Sequence, residues 1–496
     1  MKVLSTFLLL LSISPIPFVA AVSNQPASSA ARVPAGDVQD EIKAVENGLL
    51  PSVVARGERG TGMTIADRMA HYRVPAVSIA VIKDYKIEWA KGYGKLAVGD
   101  DTSVTPETLF QAASISKPVA SMATLHFVQD GKLNLDENVN DKLTSWKVPE
   151  NDFTRQKKIT LRELMSHSAG MTVSGFGGYA AGQPIPTVPE VLDGKKPANS
   201  APVRVDWLPG SKWVYSGGGI TVMQQLLVDV IHHPFPEIMK ETVLDKIGMS
   251  HSTYEQPLPE KWRSSAAAGH YQNGNPIEGK WHTYPEMAAA GLWTTPSDLA
   301  RFAIELSKEY MGQSSIVLSR EMARGMLAVQ IGKWGLGVGV EGQGKELNFS
   351  HSGGNAGFRC NLICFPETGS GAVIMTNSDN GFSLYQEILR SIAAEYGWSG
   401  YAPRVATVVM NPNRLDSYVG GYSFKPGFEV DVERADGHLF ASVDGGTPSE
   451  LLPVGDEEFL NVDDGADLLF NRTDINQVIG LTLHAFGQEF EGKKVK

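Results

Sequence analysis

Cysteine is nearly absent from this chain: its 496 residues include only Cys360 and Cys364. Both lie in FRCNLICF, whose alternation predicts a β-strand. Four residues of strand span about 13 Å, which exceeds the roughly 7 Å of Cα separation that a disulfide tolerates. We therefore expect two free, buried thiols. Two cysteines also offer too few ligands for a metal site, so the sequence predicts no metal.

Runs of basic residues are also missing. The chain has 44 lysines and arginines against 55 aspartates and glutamates, a formal net charge of −11. Because binding to a phosphate backbone needs basic patches, this composition argues against nucleic acid as the main partner. A hydrophobic content of 42% and a charged content of 20% are ordinary for a folded globular protein. We expect a small-molecule or peptide substrate, and the sequence leaves the oligomeric state open.

Long apolar stretches are confined to the N-terminus, which reads MKVLSTFLLLLSISPIPFVAA over residues 1–21. An early lysine, a leucine-rich run and small residues at its end are typical of a cleaved secretory signal peptide. The serines and prolines in the run favour this interpretation over a membrane anchor. Residues 22–36 are rich in Ala, Ser and Pro and predict a flexible leader. We therefore expect an exported protein, secreted or periplasmic, with no integral membrane segment after cleavage.

Nucleotide-binding motifs are present only in incomplete form. GVGVEG, residues 337–342, matches G-x-G-x-x-G, but no helical pattern follows it. The overlapping segment from Gly339 has Glu346 where a phosphate loop needs Ser or Thr to hold a metal. The chain also lacks a G-x-S-x-G nucleophile elbow. The sequence therefore predicts no cofactor, and it argues against an α/β-hydrolase.

Secondary-structure patterns divide the chain after residue 36 into two regions. Residues 37–398 mix helical and strand patterns, residues 399–412 resemble a linker, and residues 413–496 consist of short alternating runs separated by Gly, Asp and Pro. The last pattern predicts a C-terminal all-β, barrel-like domain. The clearest elements of the first region are two strands within 74–94, helices at 117–131, 219–231 and 382–396, and a hairpin at 358–377.

One short segment, QAASISKPVA, places Ser114 three residues before Lys117. On a helix, positions i and i+3 lie side by side, so this spacing puts an amine next to a hydroxyl. Pro118 indicates that the helix begins here, because proline is tolerated only in the first turn. Ser114 would then lie at the positive end of the helix dipole. The segment fits a nucleophile beside its base, and it also fits a plain helix start with an exposed lysine.

Two further segments carry chemistry later in the chain. KWVYSGG places Tyr215 just before a glycine-rich helix start, and HSGG places His351, Gly353 and Gly354 before the strand that starts at 358. Each has a structural alternative: a half-buried tyrosine at a helix entry, and a glycine-rich lead into a strand. The functional interpretation of the second is an inner edge strand whose backbone lines a site.

In this order, the three segments resemble the motifs of the serine β-lactamase-related hydrolases. This is the class C and penicillin-binding-protein-like group, which includes esterases and D-amino-acid peptidases. The resemblance covers about residues 40–395 and implies an α/β fold, in which a β-lactamase/transpeptidase-like domain has an antiparallel sheet flanked by helices and a helical subdomain. The flanking text agrees in TLFQAASISKPVA, LRELMSHSAGM, PGSKWVYSGGG, AAAGLWTTPSDLARF and HSGGNAGF.

The resemblance also implies an acyl-enzyme on Ser114. Lys117 and Tyr215 would share the general-base work, and the backbone N–H groups of Ser114 and Gly354 would form the oxyanion hole. Free lysine and tyrosine titrate at about pH 10, so lowering either pKa by about 3 units needs about 4 kcal/mol. A helix dipole contributes only about 0.3–1 kcal/mol. Burial of the coupled pair must therefore supply most of the change, and the sequence leaves open which group takes the proton.

Two positions depart from the family's pattern. Gly217 stands where many relatives carry an asparagine, so an amide that could hold Lys117 or a substrate carbonyl is missing. His351 stands where the lactamases have lysine. Histidine is mostly neutral at pH 7, which predicts a weak pull on a substrate carboxylate.

We therefore expect a serine hydrolase that cleaves an ester or a D-amino-acyl or related amide. The alternatives are a transesterase, a transpeptidase or a weak β-lactamase that uses the same acyl-enzyme. A catalytically silent binding protein on this fold is a further alternative, and the presence of Ser114, Lys117 and Tyr215 argues against it.

Overall fold

The computed structural model describes residues 37–57, 62–406, 408–424, 427–475, 477–485 and 488–495. The predicted signal peptide and leader, residues 1–36, lie outside the described residues. The described chain divides into two compact units, one formed by residues 72–385 and the other by parts of 37–71 and 386–496. No helix in these ranges has both the length and the apolar character to cross a membrane.

The described helices are numbered in chain order. They are α1 (Val38–Asn47), α2 (Ile65–His71), α3 (Ser116–Gln129), α4 (Val139–Lys142), α5 (Asp152–Gln156), α6 (Leu161–Met165), α7 (Val188–Asp193), α8 (Gly217–Ile231), α9 (Phe235–Met239), α10 (Glu260–Arg263), α11 (Met287–Ala290), α12 (Pro296–Met311), α13 (Arg320–Leu327), α14 (Gly381–Tyr396) and α15 (Pro412–Leu415). Short 3₁₀ turns cover Ala113–Ile115 and Gly344–Glu346, and a π-helical turn covers Lys240–Leu244.

The described strands are numbered in the same way. They are β1 (Val53–Ala55), β2 (Ala76–Lys83), β3 (Lys86–Gly94), β4 (Phe110–Gln111), β5 (Trp293–Thr294), β6 (Gly339–Glu341), β7 (Asn348–Asn355), β8 (Phe358–Phe365), β9 (Ser370–Thr376), β10 (Arg404–Ala406), β11 (Gly420–Phe424), β12 (Phe428–Ala435), β13 (His438–Val443), β14 (Ser449–Pro453), β15 (Glu458–Asn461), β16 (Asp467–Arg472), β17 (Val478–Ala485) and β18 (Gln488–Lys494).

The first unit is built on a six-stranded antiparallel sheet with the strand order β3-β2-β9-β8-β7-β6. β2 lies inside the sheet and is buried from Ala76 to Ile82, as expected for an apolar run without alternation. The helix α12 packs against β2, β8 and β9. The predicted antiparallel sheet with flanking helices is confirmed.

The helical part of this unit is organised around α3, which packs against α8, α11 and α13. Four apolar residues that recur at helical spacing along α3 lie in the hydrophobic core: Val119, Met122, Ala123 and Phe127. The helix ends as predicted near Gly131, whose left-handed φ of 71° suits a residue just beyond a helix C-terminus. The 3₁₀ turn at Ala113–Ile115, called the nucleophile turn below because it contains Ser114, leads into α3 and lies in the core of the unit.

The second unit contains a closed barrel of eight strands, β11 to β18, each paired with its neighbours in chain order. Alternate residues point inward: Val430 and Val432 on β12, and Leu468 and Phe470 on β16, belong to one core cluster. The predicted C-terminal barrel is confirmed. Within residues 399–412, which resemble a linker in sequence, β10 pairs in parallel with β1.

Candidate active site

Ser114 lies in the 3₁₀ turn that connects β4 to α3. α3 begins two residues later, at Ser116, so Ser114 lies just before the N-terminus of the helix. The cause is local: the Ser116 hydroxyl donates back to the Ala113 carbonyl at 2.5 Å, and the Ile115 N–H donates to the Ala112 carbonyl at 3.0 Å. A 3₁₀ turn also places residues i and i+3 on one side, so the Lys117 side chain still lies next to the Ser114 hydroxyl.

Lys117 is buried, with 2% of its surface exposed. Its Nζ lies 2.8 Å from Ser114 Oγ and 2.7 Å from the carbonyl oxygen of Ala289. Burial lowers the pKa of Lys117 from 10.5 to about 7, because an ammonium group loses its hydration away from water. A large share of the amine is therefore neutral at pH 7, and a neutral amine beside the Ser114 hydroxyl can accept its proton.

Tyr215 immediately precedes α8, whose N-cap is Ser216. Its ring centre lies 5.1 Å from the Nζ of Lys117. Burial raises the pKa of Tyr215 above its ordinary value of 10, and the nearby side chain of Ser114 opposes only part of that rise. The structure thus brings the three predicted groups together, with a phenol that stays protonated at neutral pH.

The third predicted segment lies in β7, next to the nucleophile turn. β6 pairs with β7 through residues 348–350, so the backbone of 351–355 continues past the end of β6. β7 contacts the turn at Ala113–Ile115. A Cβ on Gly353 would lie 2.3 Å from the Ala112 carbonyl oxygen, so glycine permits this close approach. Gly353 and the partly exposed Gly354 therefore reach the neighbourhood of Ser114, as predicted for a strand whose backbone lines the site.

His351, at the start of this segment, is an uncharged group in the structure. Its Nδ1 lies 2.6 Å from the Ser352 carbonyl oxygen. A carbonyl can only accept, so Nδ1 carries the proton and Nε2 the lone pair. Burial and the neighbouring Lys117 lower the pKa of His351 from 6.5 to about 3. The position where lactamases have a lysine therefore has no positive charge at neutral pH.

The amide missing at Gly217 is replaced by a backbone group from another element. Lys117 has its second hydrogen bond to Ala289, in α11, which packs against α3 and α8. A Cβ on Gly217 would lie 3.1 Å from the Ser174 carbonyl oxygen and 3.2 Å from the Phe176 ring. The loop through 174–176 thus occupies the space that a side chain at 217 would need.

Sequence reasoning missed a group of rings that surrounds Tyr215. The ring centre of His167 lies 4.3 Å from that of Tyr215, and the ring centre of Trp334 lies 5.2 Å from His167 and 5.4 Å from His351. Trp213 lies 5.6 Å from Trp334. His167 lies in LRELMSHSAGM, one of the segments that resemble the family. The sequence assigns no role to this histidine. Nothing in the local sequence points to Trp334.

In this arrangement Ser114 can serve as a nucleophile, Lys117 as a base and Tyr215 as a proton donor. Within the described ranges, no group of three or more His, Cys, Asp or Glu side chains is placed to hold a metal ion. The chemistry that these residues support by themselves is attack of a serine oxygen on a carbonyl carbon.

Comparison with known proteins finds a family model and solved structures that match this chain. The family model described as Beta-lactamase matches residues 63–396. Protein flp of Staphylococcus aureus (strain N315) is 24% identical over 229 residues, which are 45% of this chain and 42% of that protein. The chain thus spans less than half the length of that relative.

Two solved structures share the fold. The octameric penicillin-binding protein homologue from Pyrococcus abyssi has a TM-score of 0.58 at 20% identity and covers 86% of this chain and 98% of its own. The D-amino acid amidase from Ochrobactrum anthropi SV3, solved with L-phenylalanine amide, has a TM-score of 0.56 at 18% identity and covers 72% of this chain and 99% of its own.

Proposed function

The chain belongs to the beta-lactamase family, whose members are serine hydrolases, and we propose that it is an exported enzyme that cleaves an ester or an amide through an acyl-enzyme on Ser114. The observation that carries this proposal is the position of Ser114 Oγ. It lies 2.8 Å from the Nζ of Lys117, and the Ser114 side chain is close enough to the phenol of Tyr215 to lower the pKa of that phenol. A hydroxyl between a neutral amine and a protonated phenol has both a base to receive its proton and a donor for the leaving group.

Acylation starts from neutral Lys117. The Ser114 oxygen attacks the substrate carbonyl carbon, its proton passes to Nζ, and the carbonyl electron pair moves to the substrate oxygen. The N–H groups of Ser114 and Gly354 stabilise that oxyanion. When the oxyanion collapses, the bond to the leaving alcohol or amine breaks. Tyr215 gives the leaving group a proton and recovers one from Lys117, which returns to its neutral state.

Deacylation repeats these steps with water as the nucleophile. Water attacks the acyl carbon and gives a proton to Lys117, a second oxyanion forms, and the bond to Ser114 breaks as its oxygen regains a proton. The products are a carboxylic acid and the free enzyme. Lys117 stores the proton between the steps of this cycle, which suits a site whose histidines, His167 and His351, are held neutral by burial.

The substrate proposed is an ester or an amide without a carboxylate next to the reacting bond. A substrate carboxylate needs a cation, and the third motif provides only the neutral His351. The name of the D-amino acid amidase with the same fold supports the amide class. D-amino-acyl and related amides and simple esters are therefore the substrates to test first.

Intact mass spectrometry after treatment with a fluorophosphonate tests the nucleophile without a known substrate. We expect one phosphonyl group on the wild-type protein and none on Ser114→Ala. The matched control is Ser121→Ala, since Ser121 is buried on α3, the helix that follows Ser114, and its hydroxyl makes no hydrogen bond within the described residues. Wild-type protein that stays unlabelled, or a label that persists on Ser114→Ala, would overturn the proposal.

Export is supported by residues 1–21, whose composition is typical of a cleaved signal peptide. The proposed enzyme then acts in a secreted or periplasmic setting. N-terminal sequencing of the mature protein tests this part separately. We expect the first residue to lie at about position 22, and an intact Met1 on protein recovered from the cytoplasm would contradict it.

A further inference from the structure

His167 bonds to the backbone on both sides of Tyr215. Its carbonyl oxygen accepts the N–H of Val214 at 2.8 Å, and its Nδ1 accepts the N–H of Ser216 at 3.2 Å. Its ring also lies against the Tyr215 ring, with centres 4.3 Å apart and planes tilted by 40°. We propose that His167 is the positioning residue that fixes the Tyr215 phenol beside Ser114, a role that rests on the proposed function.

The bond to Ser216 defines the tautomer of His167. Because Nδ1 accepts an N–H, it carries the lone pair, and the neutral ring has its proton on Nε2. Burial lowers the pKa of His167 well below 6.5, and the neighbouring Lys117 and His351 lower it further. A protonated ring would point a second N–H at Ser216 and break the contact, so the neutral ring is the form that holds the segment.

The backbone of His167 is itself unusual, with a left-handed φ of 56°. A residue other than glycine is disfavoured in this conformation, and such outliers persist only where the surrounding structure holds them. His167 follows Ser166, the C-cap of α6, and the N–H of Ser168 donates to the Glu163 carbonyl at 2.9 Å. Because of this turn, both the carbonyl group and the ring of His167 can accept hydrogen bonds from segment 214–216.

Neighbouring rings limit where Tyr215 can move. The ring centre of Trp334 lies 6.0 Å from Tyr215 and 5.2 Å from His167, and that of Trp213 lies 6.2 Å from Tyr215. Of these rings, His167 is the one that also bonds the backbone next to Tyr215. Loss of its ring or its acceptor should therefore release the phenol, while the two tryptophans remain in place.

Two substitutions separate the contacts that His167 makes. His167→Asn keeps an acceptor near the position of Nδ1 and removes the ring, whereas His167→Phe keeps a ring against Tyr215 and leaves the Ser216 N–H without its acceptor. The matched control is His270→Phe. His270 is also fully buried, with Nδ1 2.9 Å from the Asn377 carbonyl oxygen and Nε2 3.2 Å from the Val98 nitrogen.

The kinetic readouts are the rate of Ser114 phosphonylation and the kcat and KM for p-nitrophenyl butyrate. They are measured where thermal unfolding shows each variant to be folded. We expect both His167 variants to lose about 10–100-fold in phosphonylation rate and in kcat, as misplacement of a catalytic group does, with KM nearly unchanged. His270→Phe should lower the melting temperature without slowing phosphonylation. Equal loss in the control would assign the effect to stability and overturn the proposal.

A double-mutant cycle gives a readout that a purely structural role would not reproduce. If His167 acts through the phenol, His167→Asn should cause no further loss in a Tyr215→Phe background. Additive losses would show that His167 acts by another route, which contradicts the proposal.

Fluorine NMR of fluorotyrosine-labelled protein tests the position of Tyr215 without any catalysis. Its resonance is assigned by its loss in Tyr215→Phe, and we expect it to shift or split in both His167 variants but not in His270→Phe. An unchanged resonance overturns the positioning role. The two proposals fail separately, since an unlabelled wild-type Ser114 contradicts the enzymatic function, and the NMR result decides the role of His167 in either case.

Discussion

The Nζ of Lys117 lies 2.7 Å from the carbonyl oxygen of Ala289. A carbonyl oxygen only accepts hydrogen bonds, so this contact uses one N–H of the amine whether or not the group is charged. When Lys117 is neutral, its lone pair remains for the Ser114 hydroxyl, 2.8 Å away. A backbone group thus does for Lys117 what an asparagine side chain at position 217 could do in relatives.

Replacement of Lys117 by methionine should abolish phosphonylation of Ser114 and change how stability depends on pH. The folded state depresses the pKa of Lys117 from 10.5 to about 7, at about 1.4 kcal/mol per unit. This destabilising contribution is full below the folded pKa and disappears as pH rises toward 10.5. Thermal unfolding at about pH 6 and about pH 9 checks the sign. The melting temperature of Lys117→Met minus that of the wild type should be more positive at the lower pH, and a difference independent of pH would contradict the buried-amine account.

The pH dependence of acylation should show a limb near neutral pH. Lys117 must be neutral to accept the Ser114 proton, so the phosphonylation rate should fall tenfold per unit as pH drops below about 7. Burial lowers the pKa of His351 to about 3 and that of His167 well below 6.5, so we expect neither to add a limb near pH 7. Rates measured from about pH 5 to about pH 11 test this. A limb near pH 10 would instead point to an unperturbed lysine or tyrosine as the base.

Substrate preference should follow from the neutral third motif. His351 offers a substrate carboxylate no charge, and the guanidinium of Arg359, on the neighbouring strand β8, already pairs with Asp379 at 3.0 Å. A charged hydrogen bond contributes about 1.5–3 kcal/mol, so we expect kcat/KM for a cephalosporin to be about 10–100-fold or more below that for a short-chain ester. Comparable values for the two substrates would show that another group binds the carboxylate.

Seven of the eight barrel strands could be predicted because each carries an alternating run that a barrel buries on one side. The eighth, β18, reads QEFEGKK and has a single large apolar residue, Phe490. Its place is set by backbone pairing with β17 and β11, which closes the barrel. Closure removes the unpaired edges that open sheets expose, and this is a property of the whole sheet that no local pattern contains.

The side chains of the site could be predicted from short motifs, while their partners could not. Ser114 and Lys117 are three residues apart, so local geometry predicts that their side chains meet. The glycines after Tyr215 predict that a helix begins there. Ala289 acts through its carbonyl group, which every residue type carries. Trp334 reaches the site from a segment with no distinguishing pattern, so its role follows only from the folded chain.

The two thiols should be unreactive in the folded protein. Cys360 Sγ donates to the Ala112 carbonyl at 3.1 Å, and both side chains are buried on β8. Burial raises the pKa of Cys364 to about 12 and also raises that of Cys360, so almost no reactive thiolate forms at about pH 8. We expect no reaction with a thiol-specific reagent until denaturant is added, and then two equivalents. Rapid reaction of either thiol in native conditions would contradict the burial.

Gly353→Ala should push β7 away from the turn that contains Ser114 and slow phosphonylation of Ser114. The added Cβ would lie 2.3 Å from the Ala112 carbonyl oxygen and 2.5 Å from the Cys360 sulfur, so β7 has to move. Over-packing of this kind costs about 1–3 kcal/mol, and a shift of about 1 Å at the reacting groups can cost about 100-fold in rate.

The matched control for Gly353→Ala is Gly325→Ala on α13, where an added Cβ meets no atom within 4 Å. It should keep the wild-type phosphonylation rate and gain about 0.5–1 kcal/mol, since alanine is the better helix former. Denaturant unfolding and the Ser114 phosphonylation rate are measured on both variants. If Gly353→Ala reacts as fast as the control, the close contact between β7 and the nucleophile turn has no part in holding the oxyanion donors in place.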